Sequence, residues 1–396
     1  MDFEKARKRL EPILHHTNLD LSSTFSAMTG GEIYLKCENA QKTGSFKIRG
    51  ASNKIASLVE SGNGCAVVAS SAGNHAQGVA YAANRFGIPA TIVMPKAAPI
   101  VKVQATEGYG ARVVLAGDCY DDAYAEACRI CKEEGALFLH PYNDEDVMEG
   151  QGTLGLEILD DLPDVDMIIV PAGGGGLLAG VASAVKSVRP DVEVCGVQSE
   201  GADAIARSFK EKKLISTNSA ATIADGIAVK QPGDKTVEII NKYADNVVTV
   251  SDTEIADAIL LLMERCKQIV EPAGATPVAA VLSGKLDVKG KKVVCVLSGG
   301  NIDVSFVQSI IERGLFARHR RVRFTVTLLD RPGQLVKLLN IIADAGANVL
   351  TVEHDKLTKG LNPNETTVHI ACEVGGEEHS KKLFDAITGN GYKLDI

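Results

Sequence analysis

The chain has 396 residues, of which 45% are hydrophobic and 23% charged, with a formal net charge of −8 and nine cysteines. This length exceeds one ordinary core and predicts two or three domains of a soluble globular protein. The acidic balance, the scattered basic residues and the lack of an apolar run of membrane-spanning length argue against nucleic acid and membrane as partners; residues 1–8 lack a signal peptide's apolar core, so a cytoplasmic protein with reduced cysteines is expected.

Taken in order, a strand is predicted at 32–37, followed by a turn carrying Ser45-Phe46-Lys47-Ile48-Arg49-Gly50 and a helix over 48–57. A lone lysine is ordinarily a solvated surface group, so Lys47 acquires interest only from its companions. From 64 to 316, short β-branched runs at 65–69, 90–94, 111–115, 136–139, 167–170, 192–197, 247–250 and 293–297 alternate with helical segments. Apolar strands alternating with helices predict a parallel sheet covered on both faces, and blocks before and after about Tyr142 suggest two lobes. Cys128 and Cys131 have CxxC spacing but fall within a helical pattern at 121–134 with no second pair nearby, which argues against zinc or redox chemistry.

Near Arg318-His319-Arg320-Arg321 the pattern changes. Strand-like 322–328, helical 332–345, strand-like 347–357 and 365–373, helical 377–388 and a closing strand at 391–396 predict a separate βαββαβ unit of the ferredoxin-like type.

Three glycine-punctuated turns follow predicted strands, and in a parallel sheet the strands' carboxyl ends form the ligand crevice. Ser70-Ser71-Ala72-Gly73-Asn74-His75 opens a helix whose free N–H groups suit a carboxylate, although Ser and Asn also cap helices with no ligand. Pro171-Ala172-Gly173-Gly174-Gly175-Gly176-Leu177 opens another, and its glycines and helix dipole suit a phosphate. The same loop fits G-x-G-x-x-A at Gly174, Gly176 and Ala179, with Glu200 as a distant acidic candidate, so a dinucleotide stays open at this level. The third turn is Leu297-Ser298-Gly299-Gly300-Asn301. A reactive amine, an anion-binding turn and a phosphate cradle together are what pyridoxal phosphate requires.

These four segments, in this order, resemble the motif set of fold-type II (tryptophan synthase β-like) pyridoxal-phosphate enzymes over roughly residues 5–318, and within them the threonine/serine dehydratases. The resemblance implies an α/β body of two parallel-sheet lobes, residues 1–320, with a smaller lobe at about 48–145 inserted in the larger. It also implies that Lys47 holds the cofactor as a Schiff base and then removes the substrate α-proton. Phe46 would pack on the cofactor ring, Asn74 bond its hydroxyl, and Gly173, Gly174, Gly175 and Gly176 hold its phosphate, which would protonate the departing hydroxyl. Ser71, Ala72, Gly73, Asn74 and His75 would receive the substrate carboxylate, and Gly226 and Glu271 would contact the site. Ser298 would face the pyridine nitrogen, where a neutral hydroxyl makes a weaker electron sink than a carboxylate and favours β-elimination over transamination. The implied reaction converts L-threonine, and L-serine too, to a 2-oxo acid and ammonia.

Residues 321–396, with Leu329-Asp330-Arg331-Pro332-Gly333-Gln334-Leu335 and Ala345-Gly346-Ala347-Asn348-Val349, resemble an ACT domain. That implies an amino-acid effector, with Asp330, Gly333, Gln334 and Asn348 as candidate contacts, and a homo-oligomer, dimer or tetramer; a purely oligomerising role is the alternative.

Two departures narrow the expectation. Serine racemases typically carry a serine at the position of Ala72, and alanine has no proton to give, so racemase activity is disfavoured. The family's divalent-metal positions are matched here by Gln198 and Ala204, with only Ala202 retained, so no metal is expected. A nicotinamide oxidoreductase would leave Lys47 and the Asn74 turn unexplained. A non-catalytic amino-acid sensor would leave Lys47 and all three turns unexplained.

Overall fold

The computed structural model describes residues 1–358 and 360–395. They form two compact units, Met1–Ile302 and Asp303–Ile396. Among them no helix is long and apolar enough to cross a membrane.

The first unit contains ten strands, β1 Leu19–Leu21, β2 Glu32–Lys36, β3 Val67–Ser70, β4 Ala90–Met94, β5 Arg112–Leu115, β6 Leu137–Phe138, β7 Met167–Pro171, β8 Glu193–Ser199, β9 Asn246–Val250 and β10 Lys292–Val296. They build two sheets, β1-β2-β10-β7-β8-β9 and β5-β4-β3-β6. All pairings are parallel except β1 with β2. The smaller sheet's strands lie in sequence between β2 and β7, so one lobe is inserted in the other. β3, β4 and β7 are buried at every position because helices cover both faces, which is why they read as continuous apolar runs rather than alternating ones.

The Lys47–Glu60 helix leaves the larger sheet and packs against the Glu145–Asp161 and Asn74–Arg85 helices. Its crossing is close because glycines meet there. A Cβ on Gly50 would fall 2.4 Å from Gln151 Nε2, and one on Gly150 would fall 2.6 Å from the Arg49 carbonyl oxygen. Lys47 is the first residue of this helix, not part of the turn before it. The Arg49 amide donates to the Phe46 carbonyl at 2.9 Å, so helical geometry already begins there.

In the second unit the Val304–Ala317 helix precedes β11 Arg321–Leu329, β12 Asn348–Asp355, β13 Glu365–Glu373 and β14 Leu394–Asp395. These form an antiparallel sheet in the order β12-β13-β11-β14. The expected closing strand is thus two residues long, and Ile396 lies outside the described residues. On β11, Val322, Phe324, Val326 and Leu328 are buried alternately, the period of a half-covered strand. They pack on Leu338 and Ile342 of the Gln334–Asp344 helix and on Leu383 and Ile387 of the Glu377–Gly389 helix.

Candidate active site

The carboxyl ends of the two parallel sheets open on one cavity of about 1080 Å³. Phe46, Lys47, Ser71, Ala72, Gly73, Asn74, His75, Gly173, Gly174, Gly175, Gly176, Gly226 and Ser298 all line it. Backbone pairing joins the Lys47 turn to the Ser298 turn. Ser45 bridges Gly299, the Phe46 amide donates to the Ser298 carbonyl at 3.0 Å, and the Gly300 amide donates to the Gly44 carbonyl at 2.9 Å. Segments some 250 positions apart in sequence are thereby held in one wall.

The Lys47 side chain lies deep in the protein yet opens to the cavity, and its Nζ donates to the Pro141 carbonyl at 2.9 Å. Burial lowers this amine from 10.5 to about 8, while the nearby Glu271 carboxylate opposes the shift. A lysine so placed supplies neutral amine close to physiological pH, as a nucleophile or a base must. Glu271, buried at the start of the Pro272–Leu282 helix, is pushed the other way, from 4.5 to about 7, again by burial. His75 does not present its ring to the cavity as an acid or base. Its Nε2 donates to the Leu139 carbonyl at 2.9 Å, and burial lowers the imidazole to about 3. The helix that Asn74 begins has Gly73 at its N-cap and no side-chain cap, so main-chain N–H groups face the cavity there.

The same holds at the Gly176–Val188 helix, capped by Gly175 with no side-chain hydrogen bond. This cradle admits glycine alone at its centre. A Cβ on Gly174 would lie 2.4 Å from Tyr142 Cδ1, and Gly175 sits at φ +96°. Uncapped helix termini with dipoles directed into a shared cavity suit anionic groups, one a phosphate and the other a carboxylate. Ser70, at the end of β3, adds a buried hydroxyl on the wall with no partner among the described residues. A buried amine, a glycine cradle and this unpaired donor fit pyridoxal phosphate.

Several contributors carry no glycine or motif signal in sequence. Tyr142 packs under the cradle, and its hydroxyl donates to the Gln231 carbonyl at 2.9 Å. His140 stacks edge-on to it, with ring centroids 4.6 Å apart. His140 Nδ1 accepts from the Tyr142 and Asn143 amides at 3.3 and 2.9 Å, and burial lowers the ring to about 4. It is therefore neutral with its hydrogen on Nε2. Both residues follow β6, whose short apolar run gives no hint of chemistry.

Gln198 is engaged in backbone contacts, accepting from the Ala206 amide at 2.8 Å. The one described group of potential metal-ligating side chains, His16, Glu157 and Asp161, already has the Lys36 ammonium between its carboxylates at 2.7 and 2.8 Å. Cys128 and Cys131 lie on the Tyr120–Glu134 helix and are free thiols. In the second unit, Gln334 borders a shallow pocket with Lys337, Asn340, Ile341, Asn390 and Tyr392. Asp330 pairs with Lys356 at 2.7 Å, Gly333 precedes the Gln334–Asp344 helix with φ +85°, and Asn348 begins β12. Of these four, Gln334 borders that pocket.

Residues 10–299 match the model of the family described as pyridoxal-phosphate dependent enzymes. An L-threonine ammonia-lyase of Thermotoga maritima is 51% identical over 395 residues, spanning all of this chain and 98% of the relative. Among solved structures, maize serine racemase superposes with a TM-score of 0.74 at 38% identity, covering 80% of this chain and 98% of its own. The processed form of threonine deaminase isoform 2 from Solanum lycopersicum does so with a TM-score of 0.74 at 33% identity, covering 79% and 89%.

Proposed function

The chain belongs to the pyridoxal-phosphate dependent enzyme family, and we propose that it is an L-threonine ammonia-lyase, yielding 2-oxobutanoate and ammonia and acting on L-serine as well. The observation that carries this reading is the half-buried Lys47 amine, lowered to about 8, on one cavity wall with the glycine cradle and the Ser71–His75 turn. Bound pyridoxal phosphate supplies a conjugated electron sink that acidifies the substrate α-carbon. Lys47 Nζ would hold the cofactor, and its lowered basicity suits it to take the proton from the substrate Cα. Phe46, on the cavity wall, would pack beside the cofactor ring. The main-chain N–H groups of Gly173 to Gly176 would hold the phosphate, those from Ser71 to His75 the substrate carboxylate, and the Asn74 side-chain amide the ring hydroxyl. Ser298, 2% exposed, sets a neutral hydroxyl on the wall, which keeps the sink moderate and favours loss of the β-hydroxyl. Ala72 offers a methyl where a second acid/base would be needed, so racemisation is not expected.

The second unit acts as an ACT-like regulatory domain of a homo-oligomer, binding an amino-acid effector through Asp330, Gly333, Gln334 and Asn348. Two helices packed on a four-stranded antiparallel sheet support this reading. In this reading residues 1–320 are the catalytic domain and 321–396 the regulatory domain, so the Val304–Ala317 helix at the start of the second unit is counted with the catalytic domain. Nine free cysteines, four of them buried, accord with a reducing compartment such as the cytoplasm.

Protein reconstituted with pyridoxal phosphate is expected to show a visible absorption band and to form 2-oxobutanoate from threonine and pyruvate from serine. Lys47→Ala should lose band and activity together. No band in the wild-type protein would overturn the cofactor assignment.

A further inference from the structure

Glu271 enters the cavity wall beside Asn74, whose Nδ2 lies 2.8 and 3.0 Å from its two carboxylate oxygens. The polarity of this contact is set three residues away. The Thr43 carbonyl can only accept, so Asn301 must turn its amino group there, at 2.9 Å, and that group also donates to Asn74 Oδ1 at 2.7 Å. The Asn74 amide therefore cannot flip, because its oxygen is claimed by Asn301 and its nitrogen by Glu271. Two oxygens of one carboxylate subtend a much smaller angle than that between the two N–H bonds of an amide. A single Asn74 N–H thus serves both oxygens, and the second stays available to an occupant of the cavity.

Two glycines from different turns make room for this chain. A Cβ on Gly299 would lie 2.5 Å from Glu271 Oε1 and 3.1 Å from Asn74 Nδ2. One on Gly44, at φ +71°, would lie 2.4 Å from Asn301 Oδ1. The Glu271 backbone is also tied in, its amide donating to the Gly299 carbonyl at 3.0 Å.

We propose that Glu271 is a positioning residue for the cofactor ring: with Asn301 it locks the Asn74 amide so that its second N–H is offered to the ring, and its carboxylate supplies the negative charge facing the Lys47 nitrogen. This rests on the assignment of the cavity to pyridoxal phosphate. The charged groups around Glu271 are Lys47 from the Lys47–Glu60 helix, Asp225 from the Asp225–Ile227 turn and Lys102 from the Ile100–Gly108 helix. Lys102 is itself paired to Asp225 at 3.5 Å, which leaves Lys47 as the cation without a carboxylate of its own.

The test uses the full-length protein loaded with pyridoxal phosphate, comparing wild type with Glu271→Gln and Glu271→Asp. Two quantities are read: the pH midpoint of the visible absorption band and the cofactor dissociation constant from a fluorescence titration. Glutamine keeps the shape but loses the charge and one acceptor. It should move the midpoint down by about one pH unit, since a cationic nitrogen loses its nearby anion, and weaken cofactor binding about fivefold or more. Aspartate, which keeps the charge, should return the midpoint toward the wild-type value. Asn301→Asp is the second variant. It places a carboxylate against two acceptors and should weaken cofactor binding similarly by unlocking Asn74. Wild-type midpoint and affinity in Glu271→Gln, or wild-type affinity in Asn301→Asp, would overturn the proposal. A lowered melting temperature with an unmoved midpoint would do so too, as it would mark a merely structural residue. Absence of any band in the wild-type protein would instead remove the cofactor assignment, and this proposal with it.

Discussion

Arg49 clasps Glu38 with two parallel hydrogen bonds, Nε to Oε2 at 2.7 Å and Nη2 to Oε1 at 2.8 Å, two residues beyond Lys47 and with both side chains buried. Arg49 Nη2 also reaches Glu157 Oε2 at 2.9 Å, and the fully buried Lys36 closes the network onto Glu157 and Asp161. The first turn of the Lys47 helix is thereby anchored to the turn after β2 and to the Glu145–Asp161 helix. Arg49→Met should destabilise the cofactor-free protein by about 3–5 kcal/mol, because Glu38 is left as an uncompensated buried charge. Adding Glu38→Gln should recover part of the loss. Urea denaturation of the two variants checks both, and a single variant within about 1 kcal/mol of wild type would contradict the finding.

Gly174→Ala places a methyl where the Tyr142 ring stands, 2.4 Å from Cδ1. Either the ring or the cradle must move, and the expected outcome is cofactor binding weakened tenfold or more with the fold retained. A fluorescence titration reports the affinity and far-UV circular dichroism the fold. Unchanged affinity would mean that the cradle does not hold the phosphate.

Ser298→Asp adds a carboxylate to a nearly sealed position on the cavity wall. An acidic partner for a ring nitrogen strengthens the electron sink, so side transamination should rise or activity should vanish. The check is amine-form cofactor accumulating during turnover, with the absorption spectrum. Unchanged elimination and an unchanged spectrum would rule out contact between Ser298 and the ring.

The opposite shifts of Glu271 and Lys47 predict an unusual pH profile for the cofactor-free protein. Glu271 keeps its proton in the fold up to about 7, whereas the unfolded chain releases it near 4.5. The stability it contributes is present below 4.5 and lost as pH rises through 7. Lys47 behaves oppositely, being deprotonated in the fold above about 8 while the unfolded chain holds its proton to 10.5. Its contribution is present above 10.5 and lost as pH falls through 8. Melting temperature against pH should therefore dip between about 7 and 8. Glu271→Gln should flatten the acid limb and Lys47→Met the alkaline limb, and variants that leave both limbs unchanged would refute the linkage.

Much of this architecture was legible in the amino-acid order. The run at 90–94 is β4 to the residue, and the run at 365–373 is β13 to the residue, because continuous apolar and alternating patterns follow directly from burial on two faces or one. Errors gathered at ends. Lys47 joined the helix because its neighbour Arg49 is bonded back to Phe46, a contact that no periodicity announces.

The site divides along the same line. The Lys47 segment, the three glycine turns and their position after strands are local features, so the sequence by itself determined which residues could handle an amine, a phosphate and a carboxylate. Only tertiary structure decided what those residues became. His140 and Tyr142 reach the cavity through the exit of β6, and Glu271 through the start of a helix nearly two hundred positions from Asn74. Burial lowered the Lys47 amine to about 8, raised Glu271 to about 7 and silenced His75 against the Leu139 carbonyl. Desolvation depends on what packs around a group from every side, and that surrounding shell exists only once distant segments have met.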